Sequence, residues 1–263
     1  MAHTMRKEEN ALHDNELGRV IPCNKLEFSD PIKWLRLGFV DLTRAPLVTL
    51  FYGIIFTLVP MLIMYLVSLT DNHLVIAPAI VCFMLIGPFL AAGLYDVSWE
   101  FEKGHKPSLW HSIRAMHRNN VHEWGFALLL TVIMIFWLRI ASLIHALYPP
   151  YVEVELADLA PFLMVGVGVG ALMSGFVFLI SAFTQPILVE RKVDLMTAVL
   201  SSVNAVWSNK LVMMFWALII LGFVVIGFLT QFIAFLIIMP LLAFATWHGY
   251  IATISTKRKR NYY

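Results

Sequence analysis

Charge is scarce in this sequence. Asp, Glu, Lys and Arg make up 14% of its 263 residues against 60% apolar, and the mean hydropathy is +0.78. Soluble domains carry about 25% charged and about 45–50% apolar residues. One core cannot hide the excess here, so lipid must cover much of it. Cysteine is nearly missing as well. Cys23 sits in a polar N-terminal segment and Cys82 in an apolar run, environments too different for a disulfide. The net charge of +2 is too small to point to nucleic acid. There is no H-E-x-x-H, no Gly-rich phosphate loop, no C-x-x-C and no nucleophile–base signature. No catalytic residue, cofactor or metal ligand is assigned on these grounds, and an enzyme is not expected. A cleavable signal peptide is not expected either, because Arg6, Lys7, Glu8, Glu9, Asp14 and Glu16 occupy the place of its apolar stretch.

What remains is a set of long apolar runs. Roughly 20 apolar residues cross about 30 Å of hydrocarbon as a helix. Runs that qualify cover about 46–70, 74–95, 124–147 and 159–188. From Leu211 to Ile254 there is no charged residue at all, too long a run for one crossing. Splitting it at Thr230-Gln231 gives spans at 211–229 and 232–254. The expected fold is an all-α polytopic membrane protein with six transmembrane helices. Residues 1–25 read as a flexible cytoplasmic tail, 26–254 as the transmembrane domain and 255–263 as a basic cytoplasmic tail.

The few charges set the orientation. Lys25, Lys33, Arg36 and Arg44 precede the first span; Lys103, Lys106, Arg114 and Arg118 lie between the second and third. Arg191, Lys192 and Lys210 lie between the fourth and fifth, and Lys257–Arg260 follow the sixth. The other connections hold only Asp71, Glu153, Glu155 and Asp158. Lys/Arg-rich loops stay cytoplasmic, so both termini are placed inside.

The pattern repeats every roughly 80–90 residues. Each of three units reads as an amphipathic segment followed by a hairpin of two spans. The first segment is Asp30–Leu42, with Asp30 as N-cap, Pro31 at the first helical position, and Ile32, Leu35, Phe39 and Leu42 on one apolar face. The second is Ser108–Arg118 and the third Asp194–Trp207, with Asp194 as N-cap. Such helices are expected at the cytoplasmic membrane interface, the alternative being short helices packed beneath the bundle.

Among single residues, Arg139 is the one basic group inside a span. An intramembrane charge marks a functional candidate, but this one is near enough to the outer end to reach Glu153, Glu155 or Asp158 as a structural ion pair. In the fourth span Gly166, Gly170, Ser174 and Ser181 follow helical spacing. This stripe predicts close packing against another helix, or else a path lined by bare backbone. His105, His111, His117 and His122 share one cytoplasmic loop, but their gaps are longer than the spacings usual for zinc, so surface imidazoles are expected. His145 and His248 fall near span ends, where hydrogen-bonded interface residues are the expectation.

Three stretches carry a family resemblance. They are Gly87-Pro88-Phe89 with Gly93-Leu94-Tyr95-Asp96-Val97-Ser98; Pro186 with Glu190-Arg191, Val193-Asp194, Thr197-Ala198 and Ala205-Val206; and Pro240 with Ala245-Thr246-Trp247-His248 and Tyr250. From about Leu26 to Ile254 the chain resembles a bacterial family of predicted inner-membrane proteins of unknown function. The resemblance makes Asp96 and His248 candidate functional or packing residues. Relatives often carry a second His where Phe244 stands here, which weakens a paired-histidine site. Some relatives bear an automatic label of cytochrome c oxidase subunit I. That chemistry needs several intramembrane histidines, and only His145 and His248 lie in the spans. An accessory role beside a respiratory complex needs none. The expectation is a non-enzymatic assembly, scaffold or accessory component of the bacterial inner membrane, with membrane lipids and other membrane proteins as partners. The alternative is a small-molecule or ion permease or channel with a path between repeats. A reporter active only in the cytoplasm should give signal when fused after Tyr263. Silence there, with signal from a fusion at Glu155, overturns the orientation.

Overall fold

The computed structural model describes residues 20–69, 76–116, 120–146 and 156–254. The tail to residue 19, the turns holding Asp71, Glu153 and Glu155, His117, and the basic residues after Ile254 lie outside them. So do the side chains of Cys82, His145 and Asp158. The described residues are helical: α1 Asp30–Arg44, α2 Pro46–Leu69, α3 Ile76–Glu102, α4 Leu109–Ala115, α5 Asn120–Ala146, α6 Leu156–Ser181, α7 Thr184–Glu190, α8 Leu195–Ser208, α9 Lys210–Leu229 and α10 Phe235–Thr253. Five stretches among the described residues are long and apolar enough to cross a membrane: Pro46–Leu66, Val121–Ile144, Leu163–Glu190, Lys210–Leu229 and Phe235–Thr253. The further run expected at 74–95 falls within α3.

Several boundaries differ from the sequence expectation. α3 does not stop at Tyr95. It runs on to Glu102 and ends where Gly104 takes a left-handed φ of 76°, a conformation open to glycine at little cost. The expected polar loop therefore contains the end of α3, all of α4 and the start of α5. The fourth span is broken after Ser181. Ser202 Oγ of α8 accepts the Phe183 N–H at 3.1 Å, and α7 restarts at Thr184 with Pro186 in its first turn, where no intrahelical N–H bond is required. Asp30 lies inside α1, and the N-cap is Ser29. The far end of the expected flexible tail is tied down: Asn24 N–H donates to Thr253 O, and Leu26 N–H to Asn209 Oδ1. Two expectations agree with the structure. α9 turns into α10 at Thr230-Gln231, and Asp194 caps α8 through Thr197 N–H.

Helices α3, α7 and α10 meet at the centre, where Leu94, Ile187 and Phe244 are fully buried. Each short helix packs onto the long one before it: α4 on α3, α8 on α6 and α7, and α1, from the start of the chain, on α10 at its end. These short helices turn their small and polar residues inward. α1 buries Pro31, Trp34, Gly38 and Asp41 while Ile32 and Phe39 stay exposed. α4 buries Ser112 and Ala115 and exposes Trp110; α8 buries Ala198, Ser201, Ser202 and Ala205 and exposes Met196 and Trp207. Of the apolar face read from α1, Ile32 and Phe39 thus point outward, while Leu35 and Leu42 are half-buried against the core.

The inward small residues allow backbones to touch. A Cβ on Gly38 would stand 2.7 Å from Ala245 N and 3.1 Å from Leu241 O; one on Gly53 of α2 would strike Leu236 O at 2.0 Å. Helix α10 therefore crosses both α1 and α2 at backbone contact. Gly38→Val should lower the melting temperature in detergent, as overpacking of this kind costs about 1–3 kcal/mol. Gly222→Val, where nothing lies within 4 Å, should not. Equal melting of the two variants contradicts the crossing.

Candidate functional site

The chemistry-bearing residues gather around the extra turns of α3, which place them. Helical periodicity sends Asp96 and Glu100 to one side of α3 and Ser98 and Glu102 to the other. On the first side, His111 Nδ1 of α4 lies 2.7 Å from Asp96 Oδ2, and His105 Nδ1 lies 2.9 Å from Glu100 Oε2. Lys103 Nζ donates to Glu100 Oε1 at 2.7 Å and stacks over the Trp99 ring. Asp96 is 1% and Glu100 8% exposed, so both carboxylates are largely withdrawn from water. Burial alone pushes the Glu100 carboxyl up; the hydrogen bonds from Lys103 and His105, with the charges of Lys103 and His111, reverse this and hold it below the ordinary value.

On the other side, one oxygen joins three helices. Asp41 Oδ2 of α1 accepts from Ser98 Oγ of α3 at 2.6 Å and from His248 Nε2 of α10 at 2.8 Å. All three residues are buried. Further along, Trp247 Nε1 donates to Glu102 Oε1 at 2.9 Å, and the Tyr250 hydroxyl donates to Glu190. Gln185 Nε2 of α7 donates to Pro88 O of α3 at 3.0 Å, while Ser112 Oγ of α4 donates to Gly93 O at 2.6 Å and hydrogen-bonds Tyr52 of α2. Every one of these contacts ties one helix to another. A half-enclosed recess of about 340 Å³ opens nearby, lined by Trp99, His122 and the 188–194 segment.

Of the residues singled out in sequence, Asp96 and His248 each join a buried polar cluster, on opposite sides of α3, and His105 and His111 join that of Asp96. Arg139 is exposed on α5. On α6, Gly166 meets nothing within 4 Å, Ser174 is exposed, and Gly170 stands 3.6 Å from Trp137 Cη2, an ordinary contact. Ser181 is half-buried at the end of α6, just before the break. Of the two glycines of the stripe, Gly170 therefore stands near another helix and Gly166 does not. Asp41, Ser98 and Glu100 were missed in sequence, as was the pairing of His111 with Asp96. One signal was present: Asp96 and His248 each stand eight residues after a proline, Pro88 and Pro240. They occupy equivalent places on two helices that meet at the centre.

Residues 75–190 match a family described as predicted integral membrane proteins, DUF2189. The matched stretch includes Asp96, Glu100 and His111 and stops short of α10. No curated protein and no solved structure matches the chain.

Asp41 is the member of this layer with the most to lose. Asp41→Leu strands the Ser98 hydroxyl and the His248 ring in a buried place, and an orphaned polar group costs about 1–3 kcal/mol. Its melting temperature in detergent should fall well below that of Asp30→Leu, whose partner Lys33 is exposed to water. Equal losses would show that the three-helix junction contributes nothing.

Proposed function

We propose that the protein is a non-enzymatic assembly or scaffold component of the bacterial inner membrane. In this reading it has six spans in three hairpin repeats, with both termini in the cytoplasm. The contact order among helices supports the repeats. Each amphipathic helix lies on the second long element of the unit before it, and α1 closes the ring on α10. The outward apolar residues support an interfacial place for these helices. Trp110 and Trp207 are exposed, and Arg114 and Lys210 sit over their rings, a pairing suited to the headgroup region.

The observation that carries the assembly reading is the uneven burial of the spans. Two-thirds (67%) of the most apolar 18-residue stretch of Phe235–Thr253 is buried in the chain's own fold, against 17% of that within Val121–Ile144 and 6% of that within Leu163–Glu190. Helix α10 thus serves the protein's own core, while α5 and α6 leave most of their described residues half-buried or exposed to lipid or to other membrane helices. The small residues of α6 favour a helix as neighbour, because they let a second backbone approach. A permease needs polar groups facing one another part-way through the bilayer. The buried carboxylates of the described residues instead sit at the inner ends of the helices, engaged in holding them together. Membrane lipids and other membrane proteins, a respiratory complex included, are the partners this reading implies.

A photo-reactive side chain placed at Leu172 or Met164, both exposed on α6, tests it in intact membranes. Cross-linking to another membrane protein is expected, and its loss on Gly166→Leu, where the chain itself has open space, places the contact on the small-residue face. That variant should melt with the wild type. Cross-links to lipid alone at both positions defeat the assembly reading.

A further inference from the structure

We propose that Asp96, Glu100 and His111 bind a first-row divalent transition ion of the zinc type. One ligand atom from each of the three lies within 4.8 Å of the other two. The site joins two elements: the carboxylates stand one turn apart on α3, and the imidazole comes from the first turn of α4, fixed there by Ser108, whose Oγ caps the His111 N–H at 3.2 Å. Zinc takes imidazole nitrogen at about 2.0–2.1 Å and carboxylate oxygen at about 2.0–2.2 Å. An ion held by these atoms replaces the Asp96–His111 hydrogen bond and draws the three side chains to ligand distance by side-chain adjustment.

The charge balance also calls for a cation. Two carboxylates, 1% and 8% exposed, lie on adjacent turns of the same helix face. Removing two like charges from water together is costly unless positive charge is supplied. In this structure the imidazoles of His111 and His105 and the ammonium of Lys103 oppose them. A divalent ion supplies two charges at one point and takes the place of the proton shared by Asp96 and His111. The mixed nitrogen and oxygen set disfavours calcium and magnesium, which prefer all-oxygen shells. His105 and Lys103 on Glu100 then orient that carboxylate, as partners behind a metal ligand commonly do. Entry is from the aqueous side: the His111 side chain is 43% and that of His105 65% exposed. The four loop histidines gave no reason to expect this in sequence, because two of the three ligands come from the end of a span.

The test uses the full-length protein in mild detergent, stripped with chelator and titrated with Zn²⁺ against a competing dye. One ion per chain is expected. Asp96→Asn and His111→Gln should each weaken binding at least about tenfold, and His122→Gln should leave it unchanged. Co²⁺ replacement adds a gain of signal: His111→Cys should create a thiolate-to-cobalt absorption band missing from the wild type. Variants must elute as the wild type on gel filtration. The proposal falls if the wild type holds no stoichiometric ion, if folded Asp96→Asn binds as tightly, or if His111→Cys gives no new band. The last outcome decides even where other variants fail to fold.

Discussion

One carboxylate oxygen closes this molecule. Asp41 Oδ2 receives the Ser98 hydroxyl and the His248 ring, and so joins α1, α3 and α10 at a single buried point. Away from water, such an acceptor is costly unless its partners arrive with good geometry. Geometry here requires α1 to lie flush on α10, which the missing side chain of Gly38 permits, and α3 to extend beyond its apolar run far enough to present Ser98. The close crossing, the long α3 and the central meeting of the helices are thus one arrangement seen from three sides.

The short helices invert the pattern familiar from soluble proteins. There, large apolar residues face inward because water covers the outside. Here the inward faces of α1, α4 and α8 hold glycine, alanine, serine and aspartate beside Trp34 and Val206, while Ile32, Phe39, Trp110, Met196 and Trp207 point out. The inversion is stable if lipid rather than water covers the outside. Apolar side chains then gain nothing by turning inward, and the inner faces are free to approach closely and to spend hydroxyls on carbonyl groups. Ser112 on Gly93 O and Ser202 on Leu179 O are two such bonds, each from a short helix to the element before it.

The features legible in sequence were those set by local rules. Span length follows from hydrocarbon thickness, the turn at Thr230-Gln231 from a break in apolarity, and the cap at Asp194 from the chemistry of a helix start. What was not legible depended on partners far away in the chain. The apolar stripe of α1 included the outward Ile32 and Phe39 because periodicity reports which residues avoid water, not which meet protein. Charges after Tyr95 look like the start of a loop, and only the pairing of Asp96, Ser98 and Glu100 with α1, α4 and the 103–105 segment explains why the helix continues. The stripe on α6 implied a neighbouring helix, and the chain itself supplies little beyond Trp137. The carboxylate site stayed hidden because helical spacing becomes visible only once Asp96 and Glu100 are known to share a helix.

The contact between the first helix and the last sets a timetable for synthesis. Asp41 and His248 are 207 residues apart. At about 5–20 residues per second, roughly 10–40 s pass between their exits from the ribosome. Throughout that interval α1 exists without the surface that buries Trp34 and Asp41. In the interfacial reading proposed above, its outward Ile32 and Phe39 rest on the bilayer during that wait, with the ionic side chains of Lys33 and Arg36 toward the headgroups. Folding of this chain ends, therefore, where its translation ends: the first helix made is the last to be docked.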